Sequence, residues 1–197
     1  MREAPKASEI VGVLEKLGYP VFQDERGYDL NIIGIRTADL TANSFNDWIT
    51  VTYWFDHGWR SFGFPGTTDP GTFWREYPMN VHGTAILKPG HYHRSHEIGL
   101  HKGDEALVQK GLLTVYRDAN RDDVLDVTGQ PEDTGNFGID IHRANAVRPS
   151  IQVDKWSAGC QVVQDPEHHA FLLALAKRAR SLYGNSFSYT LLLEQDF

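Results

Sequence analysis

The chain has 197 residues, one cysteine and a formal net charge of −7. That length suits one domain with a sizeable core, and the acidic balance speaks against a general nucleic-acid binder, which needs clustered Lys and Arg. A single thiol excludes an intramolecular disulfide, and no apolar run approaches the ~18 residues of a membrane span.

The first residues, MREAPKASEI, hold no hydrophobic signal core, so no export signal is expected. "SEIVGVLEKLGY" predicts a helix capped by Ser8, with Ile10, Val13, Leu14 and Leu17 at helical spacing and Gly18 as its stop. Residues 1–27 then form a helical appendage within a single domain spanning 1–197. From about residue 28 to 118 the pattern is β. "YDLNIIGIR" alternates, and "WITVTYWF-DHG-WRSFGF" predicts a hairpin with Gly58 in the left-handed position of its loop. "FPGTTDPGTFW" is a Pro/Gly-rich loop and "GTAILKPG" a short strand ended by a turn. "EALVQ-KG-LLTVYR" predicts a second hairpin. The aromatics of this region, Trp48, Tyr53, Trp54, Phe55, Trp59, Phe62, Phe64 and Trp74, read as core and rim of a sheet.

Residues 118–136 are polar and acidic and read as a loop, followed by a strand at "FGIDIH". "PEHHAFLLALAKRARSLYG" predicts an amphipathic helix started by Pro166 and ended by Gly184. Phe171, Leu172, Leu175, Ala179 and Leu182 make its apolar face. "FSYTLLL" closes the chain as a strand. The class that follows is α+β, mostly β, with one helix near each end.

The chemistry concentrates in residues 138–163, "GIDIHRANAVRPSIQVDKWSAGCQVV". His142 ends a strand, and Cys160 follows a Ser-Ala-Gly turn at the start of the next apolar run. A thiol attacks only as thiolate, so it needs a nearby base or a positive field. A polar segment returning the chain to a neighbouring strand can bring imidazole and thiol together. The small residues Ala158 and Gly159 leave room for a substrate carbonyl, and leave backbone N–H groups to meet an oxyanion. The bland alternative is a small buried hydrophobe.

A His at a strand end followed by Ser157-Ala158-Gly159-Cys160 resembles the signature of the L,D-transpeptidase catalytic domain, the YkuD-type family. The layout is similar over roughly residues 80–163. The resemblance implies a mixed β-sandwich of L,D-transpeptidase type and acyl transfer on peptidoglycan stem peptides through a thioester. Cys160 would be the nucleophile, His142 the base, and the N–H groups of Gly159 and Cys160 the oxyanion donors. Ser157 would orient His142 or the turn. Arg143, Trp156, His96 and Lys88 are candidate substrate contacts. No cofactor is required, the partner is a peptidoglycan peptide, and a monomer is expected. The substrate implies the cell envelope or periplasm; cytoplasmic synthesis with release by another route is the alternative. The same site chemistry would serve a murein L,D-carboxypeptidase or endopeptidase, and a further alternative is an inactive wall-binding or virion-associated module. Two positions depart from the family pattern: Arg143 and Ala144 follow the His where Gly is usual, and Val162 stands where Arg or Asn is usual.

Two other motifs suggest metals. "HYHRSHEIGLH" offers His91, His93, His96 and His101, and alternate residues on a strand can share a Zn or Ni ion. No HExxH-type motif accompanies them. "DANRDDVLD" places Asp118, Asn120, Asp122 and Asp126 at four positions of an EF-hand-like Ca²⁺ loop. Its sixth and twelfth positions, Asp123 and Gly129, do not fit, so this structural Ca²⁺ site is half a motif.

Overall fold

A computed structural model describes residues 3–39 and 43–197. It begins with helix α1 (Ala7–Lys16). The N-cap is Lys6 rather than Ser8: the Glu9 carboxylate accepts the Lys6 N–H at 2.6 Å, so an acid one turn in closes the helix entry. Ile10, Val13 and Leu14 are buried, as their spacing requires, against Ile33, Ile35 and Leu192.

The strands are β1 (Asn31–Arg36), β2 (Asp47–Phe55), β3 (Gly58–Thr67), β4 (Thr84–Leu87), β5 (Gly90–His101), β6 (Asp104–Gln109), β7 (Leu113–Asp118), β8 (Glu132–Gly135), β9 (Ile141–Arg143), β10 (Gln161–Val163) and β11 (Phe187–Leu193). A short helix α2 (Thr72–Glu76) sits in the Pro/Gly-rich loop, and α3 (Pro166–Tyr183) precedes β11. The class is α+β and mostly β. The sheets differ from the expected sandwich. Eight strands close into a barrel in the order β1-β11-β5-β6-β9-β10-β3-β2, and β4, β7 and β8 form a separate three-stranded sheet. Two parallel pairings, β1 with β11 and β9 with β10, complete the ring. Alternation in the sequence reports only that each strand buries one face, which a barrel and a sandwich share.

Two turns also depart from expectation. In the β2–β3 hairpin the left-handed residues are Asp56 and His57, while Gly58 pairs with Phe55. This is a two-residue turn with both centres at positive φ, the type that matches strand twist. The expected hairpin of "EALVQ" with "LLTVYR" does not form. β6 pairs with β5 and β9, and β7 leaves for the second sheet. The exit is fixed by the N–H groups of Lys110 and Gly111, which both donate to the Ser95 carbonyl.

The core runs through the barrel and continues under the second sheet: Ile32, Ile49, Val51, Leu107, Ile141 and Val163 join Leu87, Leu113 and Val115. Leu172, Leu173, Leu175, Ala176 and Ala179 of α3 pack into it. Phe171 lies at the edge of that face, 41% exposed, with its ring edge-on to Phe62. The Asp165 carboxylate caps α3 by accepting the Glu167 N–H at 2.8 Å, with Pro166 in the first turn and Gly184 at the end.

Candidate active site

β9 and β10 run parallel, with Ile141 opposite Gln161 and His142 opposite Val162. Side chains alternate along a strand, so Ile141, Gln161 and Val163 face the barrel interior. His142, Val162 and, two residues earlier, Cys160 take the outer face. The chain between them returns by a loop tied at Ala144 and Ser150, whose N–H groups donate to the Val163 and Gln164 carbonyls. Parallel strands need such a crossover, and this one brings thiol and imidazole to one side of the sheet.

The turn before Cys160 is over-determined. Ser157 Oγ donates to the Cys160 carbonyl at 2.8 Å and accepts the Gly159 N–H at 3.1 Å. Gly159 has φ +128, and a Cβ there would lie 2.6 Å from the Ala85 carbonyl oxygen, so no other residue fits unstrained. Behind the turn, Gln161 Nε2 donates to the Gly159 carbonyl at 3.2 Å and its Oε1 accepts the Tyr189 hydroxyl at 2.7 Å. Gly34 makes room for that hydroxyl: a Cβ on Gly34 would meet Tyr189 Oη at 1.9 Å. Gln161 and Tyr189 are thus the polar support of this turn.

His142 is 6% exposed. Its Nδ1 lies 2.7 Å from the Arg143 carbonyl oxygen, which can only accept, so Nδ1 carries the proton. Nε2 is left with a lone pair, buried and without a partner. Burial first, then His101, pulls the His142 pKa down to about 3. Burial pushes the Cys160 thiol up to about 12, and Sγ rests on the Gly138 carbonyl at 3.4 Å. The resting pair is therefore a neutral thiol and a neutral imidazole with a free acceptor nitrogen.

Both residues line a cleft of about 430 Å³. Its walls carry Trp74, Phe137 and Trp156, the cations Lys102, Arg117 and Lys155, and no carboxylate. Arg117 is held by Asp133 at 2.8 Å. Lys155 lies over the Phe73 ring, 4.2 Å from its centroid. Among the described residues neither Lys102 nor Lys155 has a carboxylate partner. In a chain of net charge −7 this is a locally positive site.

The other expected site residues divide. Trp156 lines the cleft and is 40% exposed. Ser157 orders the turn and makes no bond to His142. The Gly159 N–H, expected at the oxyanion, is taken by Ser157 Oγ. Arg143 gives the site only its carbonyl; its guanidinium turns away to Asp104 at 2.9 Å. His96 does not reach the cleft. It is fully buried, with Nδ1 on Ser95 Oγ and Nε2 on the Ile139 carbonyl. Lys88 pairs with Glu132 at 2.5 Å outside the cleft.

The histidine motif disperses, while the residues of the acidic loop bond to one another. His91 Nδ1 meets Thr190 Oγ1 at 2.9 Å, while His101 turns to Asp140. Asp118 pairs with Arg75, and the Asn120 amide bridges Asp122 and Asp126. Among the described residues no group of three or more His, Cys, Asp or Glu is placed to hold a metal. Two site residues escaped the sequence reading, His101 as a neighbour of His142 and Asp140 as its support. Asp140 was detectable, since alternation in "GIDIH" puts it on the face of His142. His101 carried no such signal, because it arrives from a distant hairpin.

No family model matches the chain, and no curated protein or solved structure matches it either.

Proposed function

We propose that the chain is a cysteine-dependent acyl-transfer enzyme of L,D-transpeptidase type, acting on peptidoglycan stem peptides. The observation that carries this reading is the placement of Cys160 and His142 on one face of two parallel strands, in one cleft, with the imidazole tautomer set to accept a proton. The thiol proton passes from Cys160 Sγ to His142 Nε2 as Sγ attacks the carbonyl before a D-residue. The Cys160 N–H meets the developing oxyanion. His142 returns the proton to the leaving amine, and a thioester remains. A second stem peptide's amine resolves it by transpeptidation, or water does so by hydrolysis. The unpaired ammonium groups of Lys102 and Lys155 suit a peptide that carries free carboxylates. Such a substrate places the protein at the cell envelope. No described helix is long and apolar enough to cross a membrane.

A second reading, an inactive wall-binding module, is favoured by one observation: the thiol is buried and neutral at rest. Incubation with muropeptides or a carbapenem followed by mass spectrometry separates the two. An adduct on Cys160, absent in Cys160→Ala, supports the enzyme. Turnover that persists in Cys160→Ala ends it, and an unlabelled thiol with retained murein binding supports the module. Product analysis then divides cross-linking from hydrolysis.

A further inference from the structure

His101 closes the hairpin between β5 and β6, far from the motif that carries the thiol. Its ring lies flat on His142, with centroids 4.1 Å apart and planes 7° from parallel. Its Nδ1 is 2.7 Å from Asp140 Oδ2, and Asp140 Oδ1 is itself fixed by the Gln109 N–H at 2.8 Å. His101 also lines the cleft. A carboxylate holding one face of a two-imidazole stack whose other member has a free nitrogen is more than core packing requires.

We propose that His101, held by Asp140, is a positioning residue for His142: its ring fixes the imidazole that serves Cys160. The His101 Nδ1–H donates to Asp140, which holds that ring flat against His142 and leaves His142 Nε2 open to take the thiol proton. The other groups facing the stack are Lys102 from the same turn, Arg143 with its partner Asp104, and His169 from α3. Among the described residues none of them is hydrogen-bonded to His142 Nε2. This inference rests on His142 acting as base for Cys160.

The test is alkylation of Cys160 by iodoacetamide at neutral pH, followed by mass spectrometry. Cys160 is the chain's only cysteine, so the label is unambiguous. His101→Ala, which loses the stack, should slow alkylation by ~10-fold or more. His101→Phe, which keeps a flat ring, should restore most of that rate. Asp140→Asn, which loosens the hold on His101, should slow alkylation less than His101→Ala does. A wild-type rate in His101→Ala, or a rate in His101→Phe no better than in His101→Ala, would overturn the inference. Alkylation needs no substrate, so a His101-dependent rate without turnover of stem peptides would overturn the substrate reading alone. Normal turnover with a rate indifferent to His101 would overturn only the role given to His101.

Discussion

Two buried histidines show how the barrel interior differs from its outer face. His96 sits inside beside Tyr189, with both ring nitrogens bonded. His142 sits outside on β9, with one nitrogen bonded and the other free. Burial depresses both, His96 to about 4 and His142 to about 3, so acidity does not separate them. The open lone pair does. A histidine satisfied on both sides holds the fold together. One satisfied on a single side, lining the same cleft as a thiol, keeps a lone pair open.

The largest expected effect breaks the comparison at His142. His142→Gln should cut Cys160-dependent turnover ~10²–10⁴-fold and leave the melting temperature nearly unchanged. His96→Leu should do the reverse. It strands the Ile139 carbonyl and should cost ~1–3 kcal/mol of stability in a denaturant titration, while the folded protein still labels at Cys160. An exchange of those two outcomes would mean the roles are assigned to the wrong histidines. Gly34→Ala tests the inner support of the outer site. The new methyl displaces the Tyr189 hydroxyl from Gln161, and a loss of ~1–3 kcal/mol together with slower labelling would show that the interior network sets the turn.

Acid sharpens the same contrast. His96, His142 and His169 are all held neutral in the fold, at about 4, 3 and 4, against an ordinary value of 6.5. Groups with depressed pKa values contribute stability above 6.5, and it is lost as pH falls toward 4 and 3. Asp47 opposes this. Burial and Asp69 raise it to about 7, so its contribution is present below its ordinary 3.8 and is lost as pH rises through 7. Burial raises Asp29 and Asp69 as well, and lowers His91; four imidazoles stand against three carboxylates, so the melting temperature should fall on acidification from 6.5 toward 4. In a His96→Leu background that fall should be shallower. The smallest effect belongs to the cleft cations. Lys102→Ala and Lys155→Ala should each raise KM for a carboxylate-bearing peptide by only a few-fold, since exposed ion pairs contribute ~0.2–1 kcal/mol. Unchanged KM in the double variant would remove the anionic end of the substrate from the cleft.

Legibility followed the range of the interactions. α1 and α3 were readable because Ile10, Val13, Leu14 and the Leu172–Ala179 face repeat with the helix period, which depends on neighbours one turn away. β1 and the β2–β3 hairpin were readable for the same reason at period two, although the left-handed residues proved to be Asp56 and His57. The β6–β7 connection was misread because "KG" is a turn signal in either case. Only the Ser95 carbonyl, from another strand, sends the chain out of the barrel.

At the site, the amino-acid sequence by itself determined the nucleophile and base candidates, Cys160 and His142, and the tight turn that carries the thiol. These are local choices: one thiol, one strand-end imidazole, and a glycine at a positive φ. Tertiary structure alone decided the rest. It closed the strands into a barrel, since pairing partners are chosen across the chain. It buried His96 and turned Arg143 outward. It also set His101 and Asp140 against His142 and placed Gln161 on Tyr189 behind the turn. Each of those contacts joins residues from separate strands, and no spacing along one strand encodes a meeting between two.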